Sequence, residues 1–145
     1  MSKTTEQLRI VLASNFSLFL KTQMFHWNVE GSNFNDYHAF WAGVYTDLYA
    51  QNDLLAEFIR QSDEYAPGSL KVYSEISKID DEEKFPNAEE MFATFLSNND
   101  VMITLYNQLY QLAESAEEYQ ISNYAAERLT AHKKHAWMVR SILKP

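Results

Sequence analysis

An all-α fold, a four-helix bundle with a single long crossover, is predicted by three features of this sequence. Apolar residues recur at three- and four-residue steps through four long stretches, the period of amphipathic helices. Glycine and proline number three each, too few for the turns that a sheet protein needs between strands. One long polar connection separates the first pair of stretches from the second, enough chain to return to the far end of a bundle. With 145 residues the chain has the length of one domain, residues 1–145, and can bury a core of its own.

The first helix is expected over residues 5–29, where Leu8, Val11, Leu12, Asn15, Leu18, Phe19, Phe25 and His26 share a face. Gly31 ends it. Asn33 or Asn35 is placed to cap a second helix running to residue 62, with Tyr37, Trp41, Val44, Leu48, Leu55 and Ile59 on one stripe. Ala66, Pro67 and Gly68 stop that pattern, and within the connection over 63–87 the run SLKVYSEIS reads as a short amphipathic helix. A third long helix is expected over 88–119, turning Met91, Phe92, Phe95, Leu105, Leu109 and Leu112 inward, and a fourth over 122–143. Met91, Met102 and Met138 fit as core filler.

Composition narrows the chemistry. The chain has no cysteine, which removes disulfides, thiolate zinc sites and cysteine nucleophiles. Its net charge of −8 argues against a general nucleic-acid binder, because phosphate neutralisation needs clustered Lys and Arg. The charge is uneven: Arg128, Lys133, Lys134, Arg140 and Lys144 lie in an acid-free C-terminal run, while Asp80, Asp81, Glu82, Glu83, Glu89 and Glu90 crowd the middle. Both runs read as a solvated helix face or loop. The N-terminal stretch is polar at its start and interrupted by Ser14, Asn15, Ser17 and Lys21, so neither a signal peptide nor a membrane span is expected. A soluble, cytoplasmic protein is the expectation.

His26 and His38 stand 12 residues apart across a Gly-Ser-Asn break, so an antiparallel hairpin brings them to the same end. Such a pair alone is ordinarily a packing or capping feature, and it needs acidic company to suggest a metal. Asp53 and Glu57 provide it. Four residues apart, their carboxylates project from one helix face about a turn from each other. The ordinary reading is a solvated patch, yet like charges at this spacing repel, and a divalent cation would neutralise them.

His38 and Asp53 are 15 residues apart on one helix. That is roughly 22 Å, too far for them to share an ion within one subunit, although the two ends face within roughly 60° of each other around the axis. A twofold partner resolves the conflict. If the second helix packs antiparallel on its copy, with the axis near Tyr45 and Thr46, the histidine end of one subunit meets the carboxylate end of the other. Ala42, Tyr45 and Tyr49 would line the contact. Two imidazoles and two carboxylates form a mixed N/O set that iron, manganese or zinc accepts. The usual di-iron bundle carries Glu-x-x-His on two helices. This chain has none, Glu127 being five residues from His132 rather than three.

At these residues the sequence resembles the Dps family, the mini-ferritins of the ferritin-like superfamily. HWNVEGSNFNDYHAFW is similar to that family's first motif and DLLAE to its second, with the ligand spacing of 12, 15 and 4 residues kept. HKKHAWM resembles the closing H-x-K-H-x-W-M, and APGSLKVYSEISKI resembles the connecting segment, so the similarity spans nearly the whole chain. It implies a ferritin-like four-helix bundle, a hollow homododecamer built from twofold dimers, and oxidation of Fe(II) at the dimer interface, usually by hydrogen peroxide, with ferric mineral stored in the cavity. The implied metal ligands are His26, His38, Asp53 and Glu57, holding iron, with zinc or manganese as substitutes. Two other readings stand beside this one. Some members of the family compact DNA through basic tails, but residues 1–9 here hold only Lys3 and Arg9 against Glu6, so DNA binding is not expected. The third is a cage that sequesters a cation without turnover.

The chain departs from the family at several positions. The family often has an acid four residues after the second histidine, where Ala42 stands, so a second iron would be held weakly or through water. Phe58 replaces the arginine of Ala-Glu-Arg, and Asn123 replaces an aspartate that lines the family's iron-entry pore. Glu114, Glu117 and Glu118 could supply that negative field, or be exposed helix-end charges. Trp27 has two readings, an electron donor that quenches radicals or core and interface packing. Tyr45 and Tyr49 read as interface aromatics, and His132 and His135 as structural or surface residues.

Overall fold

The computed structural model describes all 145 residues as five helices and no strand: α1 (Lys3–Asn28), α2 (Phe34–Gln61), α3 (Leu70–Ile76), α4 (Ala88–Ser115) and α5 (Tyr119–Leu143). The expected all-α bundle with a helix-bearing crossover is what forms. α1 and α2 pair as one antiparallel hairpin and α4 and α5 as another; α1 also packs on α4, and α3 lies against α1. The inward stripes are those the periodicity indicated, with Leu8, Val11, Leu12, Trp41, Leu48, Leu55, Phe92, Phe95 and Leu109 fully or almost fully buried. Tyr37, Leu112 and Met138 reach only half-buried positions.

Helix ends differ from the expectation where local hydrogen bonds decide them. α1 starts at Lys3 because the Ser2 hydroxyl accepts the Thr5 N–H at 3.1 Å, satisfying one of the first turn's free donors. Asn33 does occupy the N-cap of α2, but its side chain makes no capping bond. The third long helix stops at Ser115, short of residue 119, and the fourth begins at Tyr119 rather than 122. A left-handed Glu117 (φ 58°) reverses the chain there, with Glu118 N–H bonded to Ala113 O at 2.9 Å and Glu117 N–H to Glu114 O at 3.1 Å. That is the hydrogen-bond pattern glycine usually completes. Glu117→Gly should therefore stabilise the fold by about 0.5–1 kcal/mol by removing left-handed strain, seen as a raised urea midpoint with an unchanged slope.

Polar side chains lock the bundle. Buried Asn15 donates to Leu48 O (2.9 Å) and to Asn52 Oδ1 (2.7 Å), tying α1 to α2. Ser14 Oγ accepts the Lys78 N–H, and Ser17 bonds Ser77 at 2.8 Å, so the crossover is held on α1. Between α2, α4 and α5 runs a larger network. Arg128 makes two hydrogen bonds to the Asp47 carboxylate, Nη1 to Oδ1 at 2.9 Å and Nη2 to Oδ2 at 2.7 Å. Arg128 is therefore no part of a solvated basic face: its side chain is 6% exposed and paired, a correction to the reading of the C-terminal run. Lys133, Lys134, Arg140 and Lys144 are exposed as expected.

The neighbouring His132 is fully buried, a structural residue rather than a surface one. Asn99 Nδ2 donates to His132 O, so the Asn99 Oδ1 that meets His132 Nδ1 at 2.8 Å must accept. Nδ1 then carries the proton, and Nε2 accepts from Arg128 Nη2 at 3.2 Å. Burial first, and then the Arg128 charge and His135, hold the His132 pKa well below the ordinary 6.5. The folded protein keeps this imidazole neutral while the unfolded chain protonates it, so the stability it contributes is complete above pH 6.5 and declines as pH falls below that value. Urea midpoints should accordingly drop between about pH 7 and about pH 5, and a flat profile would contradict the assignment.

Candidate metal centre

The α1–α2 hairpin fixes one half of the expected site. Phe25, beside His26, packs edge-on against Trp41 at 5.2 Å, and Trp41 stacks on Phe92 at 4.8 Å, so both histidine-bearing helix ends are anchored in the core. The histidines meet as the hairpin requires. Their rings stack at a centroid distance of 3.8 Å and an interplanar angle of 12°. His26 Nδ1 lies 2.7 Å from His38 O, and His38 Nδ1 lies 2.7 Å from His26 O. A carbonyl oxygen can only accept, so each Nδ1 is the protonated nitrogen and each Nε2 keeps a free lone pair. This reciprocal bonding fixes ring orientation and tautomer, as the outer hydrogen bond of a metal-bound histidine does. Phe34 stacks on His38 at 4.9 Å, and Tyr45 lies 5.1 Å from His26.

The other two residues stand apart from this pair within the chain. Asp53 and Glu57 are exposed on α2, and the chain's salt bridge is made by Asp47 instead. No group of three or more His, Asp or Glu side chains converges within one subunit. His38, Ala42, Tyr45, Tyr49, Asp53 and Glu57 follow one another at three- and four-residue steps along α2, none fully buried in the lone chain. Trp27 is 60% exposed, which removes core packing from its readings. Nδ1-protonated imidazoles and paired carboxylates suit a divalent cation of the first transition row.

The sequence reading missed Asp47 as a structural partner. The signal was there in α2 and α5: Asp47 and Gln51 share a stripe with Leu55, and Tyr124, Arg128 and His132 recur at four-residue steps along α5. Polar residues on an inward stripe point to a buried network. Tyr124 Oη donates to Gln51 Oε1 at 2.9 Å within it.

A five-helix chain with this hairpin and crossover matches the sequence pattern of the ferritin-like domain over residues 5–145, and it belongs to that family. It is 29% identical over 126 residues to DNA protection during starvation protein 2 of Bacillus anthracis, spanning 87% of this chain and 86% of the relative. It is 27% identical to the DNA protection during starvation protein of Helicobacter pylori, spanning 97% and 99%. Its fold superposes with a TM-score of 0.94 on the crystal structure of a Dps protein from Vibrio cholerae O1, described as a member of a broad superfamily of ferritin-like diiron-carboxylate proteins, at 22% identity and 98% and 89% coverage. Within the ferritin-like family the chain is thus of the Dps kind. Iron storage is the general role that goes with this family. No helix is long and apolar enough to cross a membrane.

Proposed function

We propose that this chain is a ferroxidase mini-ferritin whose sites form between subunits, each from His26 and His38 of one subunit and Asp53 and Glu57 of its twofold partner. The observation that carries the reading is the reciprocal locking of the two histidines, which leaves two free Nε2 atoms and no third ligand within the chain. The half-exposed stripe of α2 supports the twofold contact, since an axis near Tyr45 brings opposite ends of that stripe together. Closed repetition of such dimers gives a hollow oligomer, a dodecamer by resemblance, in which ferric product is stored.

Fe(II) is the substrate. Two Fe(II) ions lose one electron each, and hydrogen peroxide takes both electrons with two protons to give two waters. The carboxylates favour the ferric product electrostatically. An anaerobic Fe(II) titration followed by peroxide tests this: rapid oxidation is expected, whereas binding without oxidation would establish the sequestering cage, with zinc and manganese as candidate cargo.

The two relatives named for DNA protection favour examining a second role. Here it is opposed by the net charge of −8 and by Arg128, which is withdrawn from the basic surface into its pair with Asp47. Duplex DNA should not be retarded in a gel at neutral pH and moderate salt. A shift that weakens steeply with salt would instead implicate Lys133, Lys134, Arg140 and Lys144.

A further inference from the structure

We propose that Trp137, with the cations beside it on α5, is a docking knob for a second copy of this chain, received by the cavity between the α1–α2 turn and the start of α4. The contact rests on the hollow oligomer proposed above and not on its iron chemistry. A twofold axis through α2 yields a dimer and nothing larger. A closed shell needs a second contact of another kind, one surface of a subunit against a different surface of its neighbour. Lys133, Trp137, Arg140 and Lys144 follow at steps of four, three and four residues, so they form one stripe of α5, and all four are exposed. None of these cations is neutralised within the chain, whose salt bridge joins Arg128 to Asp47. Trp137 stands within the stripe with 58% of its surface in water. Trp and Arg are the residues that most often anchor the centre of an interface.

The receiving cavity is preformed. It has a volume of about 530 Å³, more than an indole ring occupies, and is lined by Asn28, Glu30, Phe85, Pro86, Asn87 and Ala88. Its walls are fixed on both sides. Buried Val29 holds the turn, and Asn87 caps α4, its Oδ1 accepting the Glu90 N–H at 2.9 Å and its Nδ2 donating to Glu90 Oε1 at 3.0 Å. Phe85 is 75% exposed, an apolar ring with no cover in the lone chain. The rim is acidic: Glu30 lines it, Glu89 and Glu90 follow in the first turn of α4, and Lys84 is the cation nearest in sequence. An aromatic ring among cations thus has its counterpart in an aromatic ring among carboxylates.

Knob and cavity lie at the same end of the bundle. α4 starts there, and α5, antiparallel to it, ends there, with the Phe95 and His135 rings 6.2 Å apart just below. Trp137 is nevertheless no part of the cavity wall in its own subunit. The two surfaces are therefore distinct, and a contact between them is head-to-tail: each subunit offers its α5 stripe to one neighbour and its cavity to another, until the ring closes. Trp137 enters against Phe85, and Arg140, a turn further on, meets Glu30 at the rim.

Sedimentation of the full-length protein over a range of concentrations tests this. The unmutated protein should run as one large closed species. Trp137→Ala, Arg140→Glu and Glu30→Arg should each release twofold dimers and raise the concentration for half-assembly roughly 30-fold or more, the effect of losing one interface anchor. All three positions are exposed, so helical content by circular dichroism should not change. Arg140→Glu and Glu30→Arg combined in one chain restore opposite charges at every contact and should bring the large species back. Full assembly of both Trp137→Ala and Arg140→Glu overturns the docking, and so does a double variant that stays dissociated. An unmutated protein that stops at a dimer overturns it too, and leaves the shared iron site standing. Released dimers should still bind Fe(II) anaerobically, because the α2 stripe is untouched; dimers that bind none would remove the iron site and leave the docking standing.

Discussion

Co-assembly of His26→Ala/His38→Ala chains with Asp53→Ala/Glu57→Ala chains should restore peroxide-dependent Fe(II) oxidation that neither variant shows alone. Every site in the first homo-oligomer lacks both imidazoles, and every site in the second lacks both carboxylates, so each should fall to the rate of iron in buffer. In a mixed dimer the proposed arrangement sets the histidines of the second variant against the carboxylates of the first, which leaves one of the two sites intact. Random pairing at equal amounts makes half the dimers mixed, so about one quarter of the sites, and about one quarter of the unmutated rate, should return. The substituted positions are half-buried or exposed in the subunit, so its fold should survive in both parents. Mixed assemblies as inactive as their parents, beside an active unmutated protein, would rule out ligands shared across the twofold axis.

Asp47→Ala should be the most damaging substitution of a charged residue on α2 for the stability of the subunit. It leaves the Arg128 guanidinium buried without its carboxylate, a loss of about 3–5 kcal/mol for pairs of this kind, with the lower end expected because water reaches part of Asp47. Asp47 is 30% exposed and Arg128 6%. Replacing both, as Asp47→Leu with Arg128→Met, should recover most of the loss, since removing two charges together leaves none unpaired. Urea denaturation of the two single variants and the double variant gives the coupling directly. A loss below about 1 kcal/mol in Asp47→Ala would mean that solvent already screens the pair.

The pairing of Asp47 with Arg128 shows where the sequence stopped being legible. Helix positions follow from local periodicity, so the stripe from Trp41 to Ile59 could be read directly, and it forms as expected. His26 and His38 could be brought together because a single tight turn joins their helices. The Asp47 contact spans 81 residues and two helices that are not joined by a turn, and Arg128 was hidden in a run of surface cations. The histidine tautomers were equally out of reach, because the groups that set them are backbone carbonyls, which every residue has. At the end of α4 a glutamate holds the left-handed position where glycine would have announced a stop, so that helix was read four residues too long.

The buried Arg128 also bears on how the protein survives without its cargo. Many small metalloproteins are unfolded until an ion neutralises their inward-facing ligands, so emptying them melts them. In this bundle the half-buried Asp47 carboxylate already has a permanent counter-charge, covalently attached through α5 and unable to diffuse away. The charge balance of this pair is closed within the chain, so the subunit needs no ion in order to fold: metal at the proposed site would add stability by mass action, and a chelator should leave the helices intact.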